Sequence, residues 1–241
     1  MDLVNGINRQ LADMARNPAY HDILAIVKGA RNGLVYGAKV RFPHALVMTV
    51  LFHSTPWQKR VEFVFKATKQ HAFNLAKFVS IYKTALLVQR HINGGKPRSA
   101  DTFFAGLFGG WIIFGERNAV NEQIVLYVVS RVLTSFLPRQ PIPAPKAGPD
   151  INVPAVPPPS STAGPVTSSA LPHPPGFPYP RSQPPDAKVF EVFAALTWGA
   201  VMWLFAHRRE RLHGGMVNSM QYLYLDSEVW NSLRTLVWHN K

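Results

Sequence analysis

The sequence predicts an all-α protein whose helices suit a membrane better than water, interrupted by one Pro-rich block. Three observations carry that prediction. Of 241 residues, 47% are hydrophobic and 16% charged, against about 25% charged in an ordinary soluble domain. Lys and Arg number 26 against 13 Asp and Glu, a formal net charge of +13, which draws a chain towards anionic lipid headgroups or nucleic acid. Outside the proline block, the apolar residues recur at helical spacing. Cysteine is absent, so a disulfide framework, thiolate-held zinc, an iron–sulfur cluster and a thiol nucleophile are excluded.

The charge is uneven. Residues 1–137 carry 17 basic and 7 acidic side chains, residues 138–186 carry 3 and 2, and residues 187–241 carry 6 and 4. The opening stretch Met1 to Pro18 mixes Arg9 and Arg16 with Asp2 and Asp13. It reads neither as a secretory signal nor as a mitochondrial presequence. The final Trp238-His239-Asn240-Lys241 matches neither a peroxisomal matrix signal nor an ER-retention signal. Any membrane address is therefore expected to be internal.

Apolar residues dominate 33–53, 63–88, 102–115 and 119–137. No uninterrupted apolar run within them reaches the roughly 20 residues that cross a bilayer unaided, which suits helices that face one another or water on one side. Pro43 is expected to kink or start a helix just after Arg41. In segment 60–90, Glu62, Lys66, Gln70, Asn74, Lys77 and Thr84 recur at steps of three and four, with one longer gap, and share a helix face. Two readings stay open there. One is an amphipathic helix on a soluble core or a headgroup layer; the other is a tilted span with its polar stripe towards a hydrated cavity.

Residues 138–186 hold 17 of the 21 prolines. Pro-Pro-Pro at 157–159 excludes helix and sheet interior, so the block reads as a solvated, partly polyproline linker ahead of a ligand for SH3-type domains. The stretch Val192 to Ala206 then runs fifteen residues without a charge and meets His207-Arg208-Arg209-Glu210-Arg211. Arg208, Arg209 and Arg211 at the end of a span favour retention on the cytosolic side; an ordinary solvated helix end carries cations too.

Gly29, Gly33 and Gly37 form a double GxxxG ladder, with Gly106 and Gly110 spaced alike in a second apolar segment. On a helix such glycines stack into one groove that admits another backbone. Each would cost a water-exposed helix about 1 kcal/mol relative to alanine, so their presence there needs a packing reason. Lys28, Arg31, Lys39 and Arg41 sit among them. Snorkelling from helix ends explains most of these cations; Arg31 is expected to need Asn32, Glu116 or water. Enzyme signals are poor. There is no His-Glu-x-x-His and no Gly-x-Ser-x-Gly, and in Gly94-Gly95-Lys96-Pro97-Arg98-Ser99 the first glycine of a phosphate loop would fall on Arg90. The basic residues are dispersed through apolar stretches, unlike a nucleic-acid stripe with exposed aromatics.

The stretch Lys28-Gly29-Ala30-Arg31-Asn32-Gly33-Leu34-Val35-Tyr36-Gly37-Ala38-Lys39-Val40-Arg41-Phe42-Pro43-His44-Ala45-Leu46 resembles the Tim17/Tim22/Tim23 superfamily, and within it a peroxisomal branch. Asn74 to Val79 with Tyr82-Lys83, Ala105 to Gly110 with Phe114-Gly115-Glu116, and the tail Tyr222 to Ser227 with Val229-Trp230 support the branch. The resemblance covers most of 20–137 and 188–241. It implies an all-α, multi-spanning helical integral membrane protein of the peroxisome with about four transmembrane helices and a disordered Pro-rich loop. Candidate spans are 33–53, 66–88, a compact pair within 102–137, and 188–206.

The expected division is 1–137, a helical membrane region; 138–186, the linker; and 187–241, a final span with a basic and aromatic tail. The expected role is structural or transport-related, with a helix-packing scaffold or a subunit of a mitochondrial-translocase-like protein-translocation complex as the alternative, and not that of an enzyme. Helix packing falls to Gly29, Gly33, Gly37, Gly106 and Gly110. A polar or basic membrane face falls to Lys28, Arg31, Lys39, Arg41, Glu62, Lys66, Gln70, Asn74 and Lys77, and the basic flank to Arg208, Arg209 and Arg211. No cofactor, metal or nucleic acid is expected. The expected partners are the lipid bilayer, the import receptor that delivers peroxisomal membrane proteins, and other membrane proteins or a second copy.

Overall fold

The computed structural model describes residues 13–15, 17–52, 56–137 and 186–238, and among these there is no strand. The linker expected over 138–186 lies outside the described residues except for Asp186. Helix α1 is His21–Phe52 and α2 is Trp57–Ile92. They are followed by α3, Ser99–Phe114, and α4, Ala119–Ser135. After the proline block come α5, Asp186–His207, then α6, Gly214–Met220, and α7, Leu233–Val237.

Local chemistry sets the helix ends. A 3₁₀ turn at Pro18–Tyr20 leads into α1, where the Asn17 side chain accepts the Ala19 N–H at 3.0 Å. Gly94 and Gly95 end α2 with φ of 64° and 84°, left-handed values that favour glycine. The Asp101 carboxylate accepts the Arg98 N–H at 2.7 Å and so closes the first turn of α3. Asn118 caps α4 by accepting the Asn121 N–H at 2.9 Å.

Helix α1 runs through Pro43, so the proline does not start a helix there. Contacts with α2 flank the proline. Gly37 lies against Ala72 on one side, and Ala45 is buried with Val64 and Ala67 on the other. The lost N–H is on an exposed residue, where tertiary contact outweighs the local penalty of about 3 kcal/mol.

The helices α1 and α2 run antiparallel over their lengths, and α3 lies antiparallel to α5. Phe78 of α2 joins the two pairs. Its ring centroid is 4.4 Å from Trp198 and 5.6 Å from Phe114, and Phe114 stacks on Trp198 at 4.6 Å. Phe78 and Phe114 are fully buried. Aromatic pairs at these distances are worth about 0.5–1.5 kcal/mol beyond their burial. Tyr82 and Phe205 meet Tyr224 of the C-terminal tail, so α5 and the tail belong to the same compact unit as α1 to α4.

Of the described helices, α5 is long and apolar enough to cross a bilayer by composition, and α3 is apolar but shorter. The other long helices owe their lower hydropathy to the polar residues described next.

Candidate functional site

The glycine ladder faces α2 of the same chain. A Cβ on Gly33 would come within 2.7 Å of the Ala76 Cα, and one on Gly37 within 2.6 Å of the Ala72 Cα. One on Gly29 would meet Val79 Cγ1 at 2.9 Å and Lys83 Cε at 3.0 Å. The two backbones touch because neither side carries bulk. A second contact repeats the device: a Cβ on Gly106 would lie 2.8 Å from Met202 Cβ, and one on Gly110 2.5 Å from Trp198 Cβ.

Sequence reasoning missed the partners. Ala72 and Ala76 form a small-xxx-small pair on α2 and could have been found by that spacing. Gly109, against the Phe78 ring, and Gly199, against Phe103, carry no spacing signal of their own. Because α2 fills the Gly29–Gly37 groove, another membrane protein could use it only by parting α1 from α2.

The basic residues of α1 do not share one groove. Lys28 is fully buried, and its Nζ donates to the Val229 carbonyl at 2.5 Å. Arg31 donates to the Leu236 carbonyl at 3.5 Å; neither Asn32 nor Glu116 is its partner. Asn32, also fully buried, donates to the Tyr222 carbonyl at 2.8 Å. Tyr36 hydrogen-bonds Ser219, and the buried Lys83 pairs with Glu228. His21 stacks on Trp230 at 4.7 Å, and Trp230 donates to the Ala15 carbonyl at 2.7 Å. The tail is thus a strap, tied to the first half of α1 by Lys28, Arg31 and Asn32. Within it Tyr224 is buried, which pushes its phenol well above the usual range.

Further along, Lys39 is exposed and Arg41 half-buried. Arg41 stands within electrostatic reach of His44 and His71. Arg41 Nε, Thr49 Oγ1, Thr68 Oγ1 and His71 Nδ1 are buried and have no hydrogen-bond partner. The outer surface of this half of the hairpin is apolar, with Phe42, Leu46, Val47 and Val50 of α1 and Phe63 and Phe65 of α2 exposed. On α2, Glu62, Lys66, Gln70 and Lys77 are exposed and Asn74 is half-buried.

At the end of α5, Arg208 and Arg211 are exposed, while Arg209 lies over the Phe205 ring at 4.6 Å and donates to the Phe205 carbonyl. Among the described residues no cluster of three His, Asp or Glu side chains could hold a metal.

Paired antiparallel helices locked by glycine, with apolar outer faces and buried polar groups, define a multi-spanning helical membrane protein. Residues 18–130 match the model of the Tim17/Tim22/Tim23/Pmp24 family. The chain belongs to that family. It is 38% identical over 222 residues to peroxisomal membrane protein 4 of Bos taurus, covering 92% of this chain and 87% of the relative. It is 37% identical over 228 residues to peroxisomal membrane protein 4 of Homo sapiens, covering 95% and 90%. No solved structure matches the chain. The chain is an integral, multi-pass protein of the peroxisomal membrane, in a family of structural or transport-related membrane proteins.

Proposed function

We propose that the α1–α2 hairpin meets a polar solute or a lipid headgroup within the peroxisomal membrane, and that the protein serves there as a structural or transport-related component and not as an enzyme. The observation that supports this is the set of unpartnered buried atoms on Arg41, Thr49, Thr68 and His71. Leaving such a group unsatisfied costs about 1–3 kcal/mol, so it is kept where water or a polar ligand reaches it. Ionisable side chains inside a bilayer mark solute or ion pathways for the same reason. The exposed stripe of Glu62, Lys66, Gln70 and Lys77 on α2 would continue that path or hold headgroups.

The test is flux through liposomes carrying the full chain, with a small carboxylate and a small cation as probes. Arg41→Met and the pair Lys66→Gln with Lys77→Gln are expected to lower or reselect the flux. Identical permeability in all three proteins would remove the conduit.

The partners we propose are the bilayer, other membrane proteins or a second copy, and the import receptor for peroxisomal membrane proteins; nucleic acid is not among them. That receptor would read an apolar helix with a basic flank, and α5 with the exposed Arg208 and Arg211 fits this best. The three-part division into 1–137, 138–186 and 187–241 is part of the same proposal, with the first and third parts folded together.

A further inference from the structure

Helix directions constrain which segments cross the membrane. The contacts of Gly29 with Val79 and Lys83, and of Gly37 with Ala72, fix α1 and α2 as antiparallel. Gln89 donates to the Asp101 carbonyl near the α2–α3 turn, while Phe78 lies against Gly109 further along, so α3 runs back beside α2. Trp203 donates to Ser99 at one end of α3, and Trp111 to Glu191 at the other, so α5 is antiparallel to α3. The end of α3 and the start of α5 therefore lie on one face of the membrane. The starts of α1 and α3 and the end of α5 lie on the other.

Helix α4 must fit between these points. It begins where α3 ends, with the Asn121 side chain donating to the Glu116 carbonyl at 2.9 Å and Arg117 over the Phe190 ring of α5. If α4 crossed, the chain between residues 137 and 186 would have to cross back. That sequence holds 17 prolines in 138–186, and such a run cannot satisfy its own backbone in hydrocarbon.

The surface of α4 agrees. Asn121, Val125, Val128 and Ser135 form a buried face. Leu126 and Leu133, seven residues apart, are 56% and 63% exposed. Gln123, Ser130 and Thr134 form a third, exposed polar row beside Tyr127, over which Arg131 lies at 4.9 Å. A crossing helix would turn that row into the acyl chains. A helix at the edge of the bilayer has one face for protein, one for lipid and one for water.

We infer that α4 does not cross the membrane: it lies along the lipid boundary on the face where α3 ends and α5 begins, with Leu126 and Leu133 in the acyl layer and Gln123, Ser130 and Thr134 among the headgroups. The bilayer is then crossed by α1, α2, α3 and α5. This rests on the membrane reading above.

The chain has no cysteine, so single cysteines report sidedness cleanly. Gln123→Cys, Thr134→Cys, Lys188→Cys, Lys96→Cys and Arg211→Cys are expressed in the full chain. Intact isolated peroxisomes are treated with a membrane-impermeant polymer-linked maleimide, before and after permeabilisation. The expected result is that Gln123→Cys, Thr134→Cys and Lys188→Cys share one labelling pattern, and that Lys96→Cys and Arg211→Cys share the opposite one. Thr134→Cys shifting together with Lys96→Cys, opposite to Gln123→Cys, would overturn the inference and leave the membrane reading standing. Labelling of all five in intact organelles, with release of the chain at alkaline pH, would overturn the membrane reading itself.

Discussion

At the scale of single residues, the glycines of α1 differ in what surrounds them, and that difference is measurable. Alanine is the better helix former by about 1 kcal/mol, so a glycine in loose surroundings would gain from the change. At Gly33 and Gly37 the new Cβ meets the α carbons of Ala76 and Ala72 at 2.7 and 2.6 Å. A backbone cannot step aside without moving its helix, and overpacking of this kind costs about 1–3 kcal/mol. At Gly29 the nearest atoms belong to the side chains of Val79 and Lys83, which shift more readily. Thermal unfolding in mild detergent should place Gly33→Ala and Gly37→Ala clearly below the native chain and Gly29→Ala between them. Equal midpoints for all four proteins would mean that α1 and α2 are not in contact along this ladder. The ladder was visible in the sequence because its spacing is periodic. The destinations of Lys28, Arg31 and Asn32 were not, because their partners are backbone carbonyls roughly two hundred positions away, and a carbonyl leaves no trace in residue type.

At the scale of elements, α5 carries two jobs on one sequence. Its apolar length packs on α3 through Trp198 and Met202, and its end offers Arg208 and Arg211 to water. Arg209 is less available, since its guanidinium lies over Phe205. A receptor that reads the basic flank should therefore depend on Arg208 and Arg211 more than on Arg209. Imaging of a tagged chain beside peroxisomal and mitochondrial markers should show Arg208→Gln with Arg211→Gln dispersed or mislocalised, and Arg209→Gln close to normal. Normal peroxisomal targeting of the double variant would remove this flank from recognition. The helices themselves were legible from period and composition. The start of α1 at His21, ahead of the span expected from 33, was not, because its first turns carry Lys28, Arg31 and Asn32 for the tail. The tail was legible as a family-specific block, but its role as a strap arises from Glu228, Val229 and Trp230 meeting Lys83, Lys28 and His21, contacts that join its far end to the first two helices.

At the scale of the whole molecule, two glycine-locked helix pairs share an aromatic joint at Phe78, Phe114 and Trp198, and the tail is tied to α1 and α2. Hydropathy alone selects α5 among the described helices. Helix α3 is apolar but too short to be recognised by itself, and α1 and α2 are too polar, because they carry the cations and amides that the strap and the hairpin use. The assignment to a membrane therefore rests on how the helices pack and on family membership, and extraction tests it most directly. Peroxisomes carrying the full chain are washed in alkaline carbonate and spun down. The account predicts that the protein stays in the pellet with the integral membrane proteins; recovery in the supernatant would contradict it.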